Sequence, residues 1–164
     1  ETVNHDRFWG LNNARIAPLP AQDIEVWIGA TAPAAINRTA RLAEGWLGTP
    51  SSTPQQAKEQ LNQYRQACAE HQRKPSAVAL RRDIFIGASV REAEEFRSHA
   101  VAKGYRGFPE RALICGDISQ VATQFAELFE AGFTDIIVRN MASDQGQALG
   151  TIEALSDVKR QLRL

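Results

Sequence analysis

Cysteine and histidine are scarce: Cys68 and Cys115, and His5, His71 and His99, are all that 164 residues contain. They stand apart from one another, so neither a disulfide framework nor a thiolate or imidazole metal site is supported. The histidines lie in polar surroundings that suit surface or helix-end roles. Charge of one sign is also missing. Nineteen Lys and Arg cancel nineteen Asp and Glu, which disfavours a polyanion-binding protein and gives no expectation of nucleic acid as a partner. No apolar run approaches the roughly 20 residues of a membrane helix, and no N-terminal run has the basic, apolar, small-residue order of a signal peptide. No membrane partner is expected, and the expected location is cytoplasmic. Ser-His-Asp, Cys-His and paired-carboxylate constellations are absent too, so no catalytic residue is assigned.

Apolar residues are not scarce. With 43% hydrophobic and 23% charged residues, the chain has ordinary globular composition, and its length fits one domain on a prior of roughly 150 residues each. It begins with Glu1, and its first twenty residues, with Phe8, Trp9, Gly10, Pro18 and Pro20, read as irregular extended chain. Residues 1–23 are therefore expected to be a lead-in and 24–164 the folded domain, and the start reads as a cut.

From there strands and helices alternate. Ile24 to Ile28 is β-branched and aromatic and runs into Gly29, a strand signal. A helix follows, capped by Thr31, with Pro33 in its first turn and Gly45 as its stop. Trp46 to Thr49 is a second short strand, closed by the turn residues Pro50, Ser51 and Ser52. Thr53 and Pro54 open a helix with Ala57, Leu61, Tyr64 and Cys68 on one stripe. Ala77 to Ala88 is a strand with Val78, Leu80, Arg82, Ile84 and Ile86 on one side. Ser89 and Glu92 form a capping-box pattern for the next helix, and Asp117 and Gln120 another. Gly104 to Gly116 reads as a loop. Thr134 to Val138 is a buried strand, and the last helix, from about Gln145 to Leu162, points Leu149, Ile152, Leu155 and Val158 inward. Lys159, Arg160 and Arg163 favour its C-terminal dipole.

The pattern predicts an α/β fold with four parallel strands and about five helices. A small doubly wound sheet and half of an eight-stranded barrel both satisfy it. In either, ligands meet the C-terminal ends of strands. Gly29, Ala30, Thr31 and Ala32 open a helix there, with unpaired N–H groups and a hydroxyl suited to a phosphate. Thr49, with Ser51 and Ser52, offers more hydroxyls at the next strand end. A plain cap and a plain turn explain the same residues. Arg139 follows the core of the last strand, where it meets an anionic ligand or pairs with Asp135 or another acid. Arg111 is a loop charge after Pro109 and Glu110.

The run VWIGATAPAAINRTARLAEGWLGT (Val26 to Thr49), with its Glu44-Gly45-Trp46 step, resembles a segment of the luciferase-like flavin-dependent oxidoreductases. The likeness extends to the aromatic, Gly- and Pro-rich stretch from Phe8 to Pro20, to Gly107 to Asp117, and to AGFTDIIVR (Ala131 to Arg139). Members of that family are (β/α)8 barrels of about twice this length. The resemblance therefore implies the C-terminal half of a TIM barrel, from its fifth strand to its last helix. It further implies that Gly29, Ala30, Thr31, Ala32 and Thr49 hold the phosphate of FMN, or of F420 in one branch, and that Arg111 matches a position touching an anionic substrate in some members. The implied reaction is oxidation of a small organic substrate with reduced FMN and O2, or hydride exchange with F420, with a flavin reductase as a further partner. Implied structural partners are an N-terminal half-barrel or a second copy of the chain. The alternative from another class is a non-catalytic flavin- or phosphate-binding half-barrel.

Overall fold

The computed structural model describes residues 3–5, 7, 8, 10–15 and 17–162. Trp9 of the lead-in and Arg163 of the last helix lie outside the described residues. The lead-in, expected to be irregular, carries an antiparallel pair, β1 (Val3–His5) and β2 (Leu11–Ala14). Its β2 strand is almost wholly exposed, so no buried-face periodicity announces it.

The main sheet is parallel. β3 (Trp27–Gly29) pairs with β4 (Gly45–Gly48), β4 with β5 (Ala77–Ile86), and β5 with β7 (Asp135–Asn140). A fifth strand, β6 (Ile114–Gly116), corrects the four expected from sequence and lies inside the segment read as a loop. Ile84 pairs with Ile114 on one edge and Asn140 on the other, while Leu80 pairs with Gly48 and Ile136. β5 thus serves β4 and then β6 along one edge, and β7 along the other. A three-residue strand bounded by glycine and turns is too short for a periodic signal, and its pairing to β5 supplies what its sequence does not. The rest of the former loop contains two 3-10 turns, Tyr105–Gly107 and Glu110–Ala112.

The strands β3, β4, β5 and β7 lie in chain order with no reversal, and this separates the two architectures left open by the sequence. Helices α1 (Pro33–Leu42), α2 (Pro54–Glu70), α4 (Ile118–Ala131) and α5 (Gln145–Leu162) share one core with Val78, Leu80, Ile84 and Ile86. Those are alternate residues of β5, so the four helices cover one face of the sheet. The opposite face presents Ala79, Arg81, Asp83 and Phe85. Helix α3 (Val90–Ala102) covers its end, with Phe96 stacked on Phe85 at 3.8 Å between ring centroids. Four helices on one face of strands in chain order are the arrangement of half a barrel, not of a doubly wound sheet, with α3 an addition at the strand end.

Local chemistry explains most helix starts. Thr53 with Gln56 and Asp117 with Gln120 form complete capping boxes. Ser89 accepts from the Glu92 N–H, but the Glu92 carboxylate takes the Ala88 N–H instead. Helix α1 differs from expectation: its N-cap is Ala32, not Thr31, and no side chain caps it. Pro33 at the first helical position forces the residue before it into extended geometry, and that residue is Ala32. Gly45 does not stop the helix, which ends at Leu42 with Ala43 as its C-cap. It opens β4, where a Cβ would lie 2.7 Å from the Trp27 ring. Helix α5 turns Thr151 and Val158 inward, leaving Leu149 and Ile152 exposed. Its apolar residues occupy two faces, and the Thr151 hydroxyl, bonded with the Ile86 backbone, belongs to the buried one.

Candidate functional site

The C-terminal ends of β3 and β4 leave the sheet side by side. Gly29 stands opposite Leu47, and the Ala30 N–H donates to the Leu47 carbonyl at 3.3 Å. Ala30 is buried, and its carbonyl accepts the Trp46 indole N–H at 2.9 Å. Trp46 is itself fully buried, stacked on Tyr64 and Phe133. The small-residue turn is therefore anchored to the core through a single indole. Beyond it, Thr31 and Ala32 are exposed at the start of α1. Among the described residues no side chain caps the first turn, so the positive helix end is open to an anion.

Thr49 lies at the neighbouring strand end, but its turn is internally bonded. Its Oγ1 lies 3.0 Å from the Ser51 hydroxyl, and the Ser52 hydroxyl donates to the Thr49 carbonyl. One proton of the Thr49–Ser51 pair is spent between them and the other remains for a ligand. The structure brings Gly29, Ala30, Thr31 and Ala32 to one strand mouth and Thr49 to the adjoining one.

Arg139 projects on the face of the sheet opposite the four helices. Its partner is not Asp135, whose carboxylate accepts from Thr134, but Asp83, at 3.8 Å. Asp83 is fully buried and also accepts from Arg81 Nη2 at 3.0 Å and from the Tyr105 hydroxyl at 2.8 Å. Burial, reinforced by the bond to Asp83, pushes the Tyr105 phenol up to about 12, so it remains a donor at neutral pH. Sequence reasoning missed this cluster because its members come from β5, β7 and a 3-10 turn. The available signal was Asp83 itself, a carboxylate on the otherwise buried face of a strand. Arg111, by contrast, is exposed beside a cavity lined by Arg82 on the helix-covered face. The structure does not bring Arg111 and Arg139 together.

A cavity of about 1020 Å3 lies elsewhere, between the end of β5, the start of α4 and one side of α5. Its charged lining is Glu92, Asp117, Glu153 and Asp157 against Arg160. That excess of carboxylates opposes an anionic group, so its size does not make it the phosphate end of a site. Among the described residues there is no cluster of three or more potential metal ligands. No helix among them is long and apolar enough to cross a membrane.

The family profile described as luciferase-like monooxygenase matches residues 1–112. The chain belongs to that family. A comparison with curated proteins returns no match. Several solved structures share the fold of this luciferase-like chain. A monooxygenase from Streptomyces bottropensis superposes with a TM-score of 0.73 at 16% identity, over 100% of this chain and 56% of its own. An F420-dependent secondary alcohol dehydrogenase, solved with an F420–acetone adduct, gives 0.67 at 13% identity, over 99% and 56%. The oxygenating constituent of 3,6-diketocamphane monooxygenase from Pseudomonas putida, solved with FMN, gives 0.62 at 15% identity, over 95% and 56%. The luciferase-like chain thus spans about half the length of these structures, and its fold is that of half of their TIM barrel.

Proposed function

We propose that this chain is the flavin-phosphate half of a luciferase-like flavin-dependent oxidoreductase acting on a small organic substrate. The observation that carries the reading is the open start of α1. Its first turn has no side-chain cap and begins where β3 and β4 end together. The residues fit a phosphate. Thr31 and one of the Thr49–Ser51 hydroxyls are donors, the N–H groups beyond Ala32 add partial positive charge, and no acidic residue occurs from Gly29 to Ala32. Bound FMN would supply the redox chemistry with O2, and the chain's own residues would hold and orient it.

On the inner face, Arg139 and Arg81 flank Asp83, and each is only partly committed to it, with exposed side-chain surface. They would position an anionic or polar substrate group while Tyr105 and Asp83 fix their geometry. F420 in place of FMN is the second reading, favoured by the F420-dependent dehydrogenase among the structural neighbours. A reductase supplying reduced flavin is the accompanying partner for the FMN reading.

Titration of the chain with FMN and with F420, followed by fluorescence quenching and calorimetry, tests the proposal. FMN should bind, and Thr31→Val should weaken it by about 1 kcal/mol through a lost bond to a charged group. Unchanged FMN affinity in that variant would remove Thr31 from the site. Absence of binding for both cofactors would overturn the reading.

A further inference from the structure

Arg82 is 1% exposed on the helix-covered face of β5. Its Nη1 donates to the Ser52 carbonyl at 3.0 Å, while its Nη2 is buried and has no partner among the described residues. None of the ion pairs among the described residues includes it. A buried guanidinium without a carboxylate is unfavourable unless something else meets its charge.

The space beside it has the chemistry to do so. A cavity of about 240 Å3 lies between the N-terminal turn of α2 and the second half of α4, with Arg82 in its wall. This is below the roughly 300–1,000 Å3 of pockets for drug-sized ligands, which limits the occupant to a small group. Lys58 and Arg111 also line it, so three cations face one carboxylate, Glu127. Gln55 and Gln124 keep one amide proton each beyond those given to Glu59 and to the Gln120 carbonyl. Lys58, Arg111 and Gln55 are exposed and flexible, able to draw aside and close over an ion that reaches Nη2. Pro54 and Gln55 stand at the positive end of a 17-residue helix.

We infer that this cavity is a second oxyanion site, separate from the flavin-phosphate turn, which takes a phosphate-sized dianion between Arg82, Lys58 and Arg111. Its lining comes from α2, α4, β5, β6 and the turn that carries Arg111, all within this chain.

The test uses inorganic phosphate, titrated calorimetrically into the full chain at low ionic strength. Lys58→Ala and Arg111→Ala should each weaken binding by about three- to fivefold, as lost exposed charge pairs do. Glu127→Gln should tighten binding, a gain that a merely structural role for these residues would not produce. Thr31→Val should leave this binding unchanged, which separates the site from the flavin turn. Arg82→Gln should abolish binding; if that variant does not fold, the Lys58, Arg111 and Glu127 variants decide. Equal affinity for glycerol 3-phosphate would identify the terminal group of a phosphomonoester as the ligand, and loss of affinity the free ion, and either result sustains the site. No binding at tens of millimolar phosphate would overturn the proposal. So would phosphate binding that survives the Lys58→Ala/Arg111→Ala double variant in an Ala32→Asp chain, whose flavin turn repels anions, or binding lost in Thr31→Val.

Discussion

Gly45 shows how a single missing side chain is used for space rather than flexibility. The Trp27 ring lies over it across the β3–β4 pair, so Gly45→Ala should force the indole outward. A loss of about 1–3 kcal/mol from overpacking is expected, read as a lower denaturant midpoint together with a shifted tryptophan emission. An unchanged midpoint and spectrum would show that Trp27 swings away freely. Cys115 carries a second prediction at this scale. Burial raises its thiol from 9.0 to about 11. The folded state therefore favours the neutral thiol: this contribution is complete below pH 9 and is lost as pH rises through 11. Over that window the wild type should lose roughly 2–3 kcal/mol more stability than Cys115→Ala. Parallel pH profiles of the two proteins would refute it.

At the scale of elements, α1 is the helix whose start was left without a cap. Ala32→Asp should stabilise the chain by about 1 kcal/mol, since aspartate caps well where alanine cannot. The same carboxylate would repel an anion at the helix start, so FMN affinity should fall while the melting temperature rises. If both rise together, the open cap has no binding role. Elements whose signals are local were legible in the sequence. Thr53 and Pro54 mark the start of α2, the Asp117–Gln120 box lies within four residues, and Pro33 marks the first turn of α1. The small-residue turn from Gly29 to Ala32 was legible for the same reason. What depended on distant chain was not. Strand β6 owes its conformation to β5, the buried face of α5 is selected by the Ile86 backbone, and Asp83 gathers partners from three separate segments.

For the whole molecule, the open curvature of the sheet has an energetic consequence. Among the described residues, β3 pairs only with β4, and β7 only with β5. Val26, Trp27, Ile137 and Val138 remain more than a third exposed at these outer strands, as do Leu149 and Ile152 on α5. Unpaired strand edges and apolar surface favour association. The chain should therefore pair with a complementary half-barrel or with its own copy, and light scattering should report a dimer or larger species. A monodisperse monomer at tens of micromolar would count against closure of the barrel in this way.

Arg82 and Asp83 are consecutive residues on the ribbon that β4, β6 and β7 all pair with. One reaches toward the helices with a guanidinium and the next toward the concave side with a carboxylate. Deletion of one residue within Ala77–Leu80 would turn each to the other face, placing Asp83 among Lys58 and Arg111 and leaving Arg139 opposite Ile84 instead of a carboxylate. Such a frame slip would undo both sites at once, so β5 should tolerate substitution along its length far better than any change in its count.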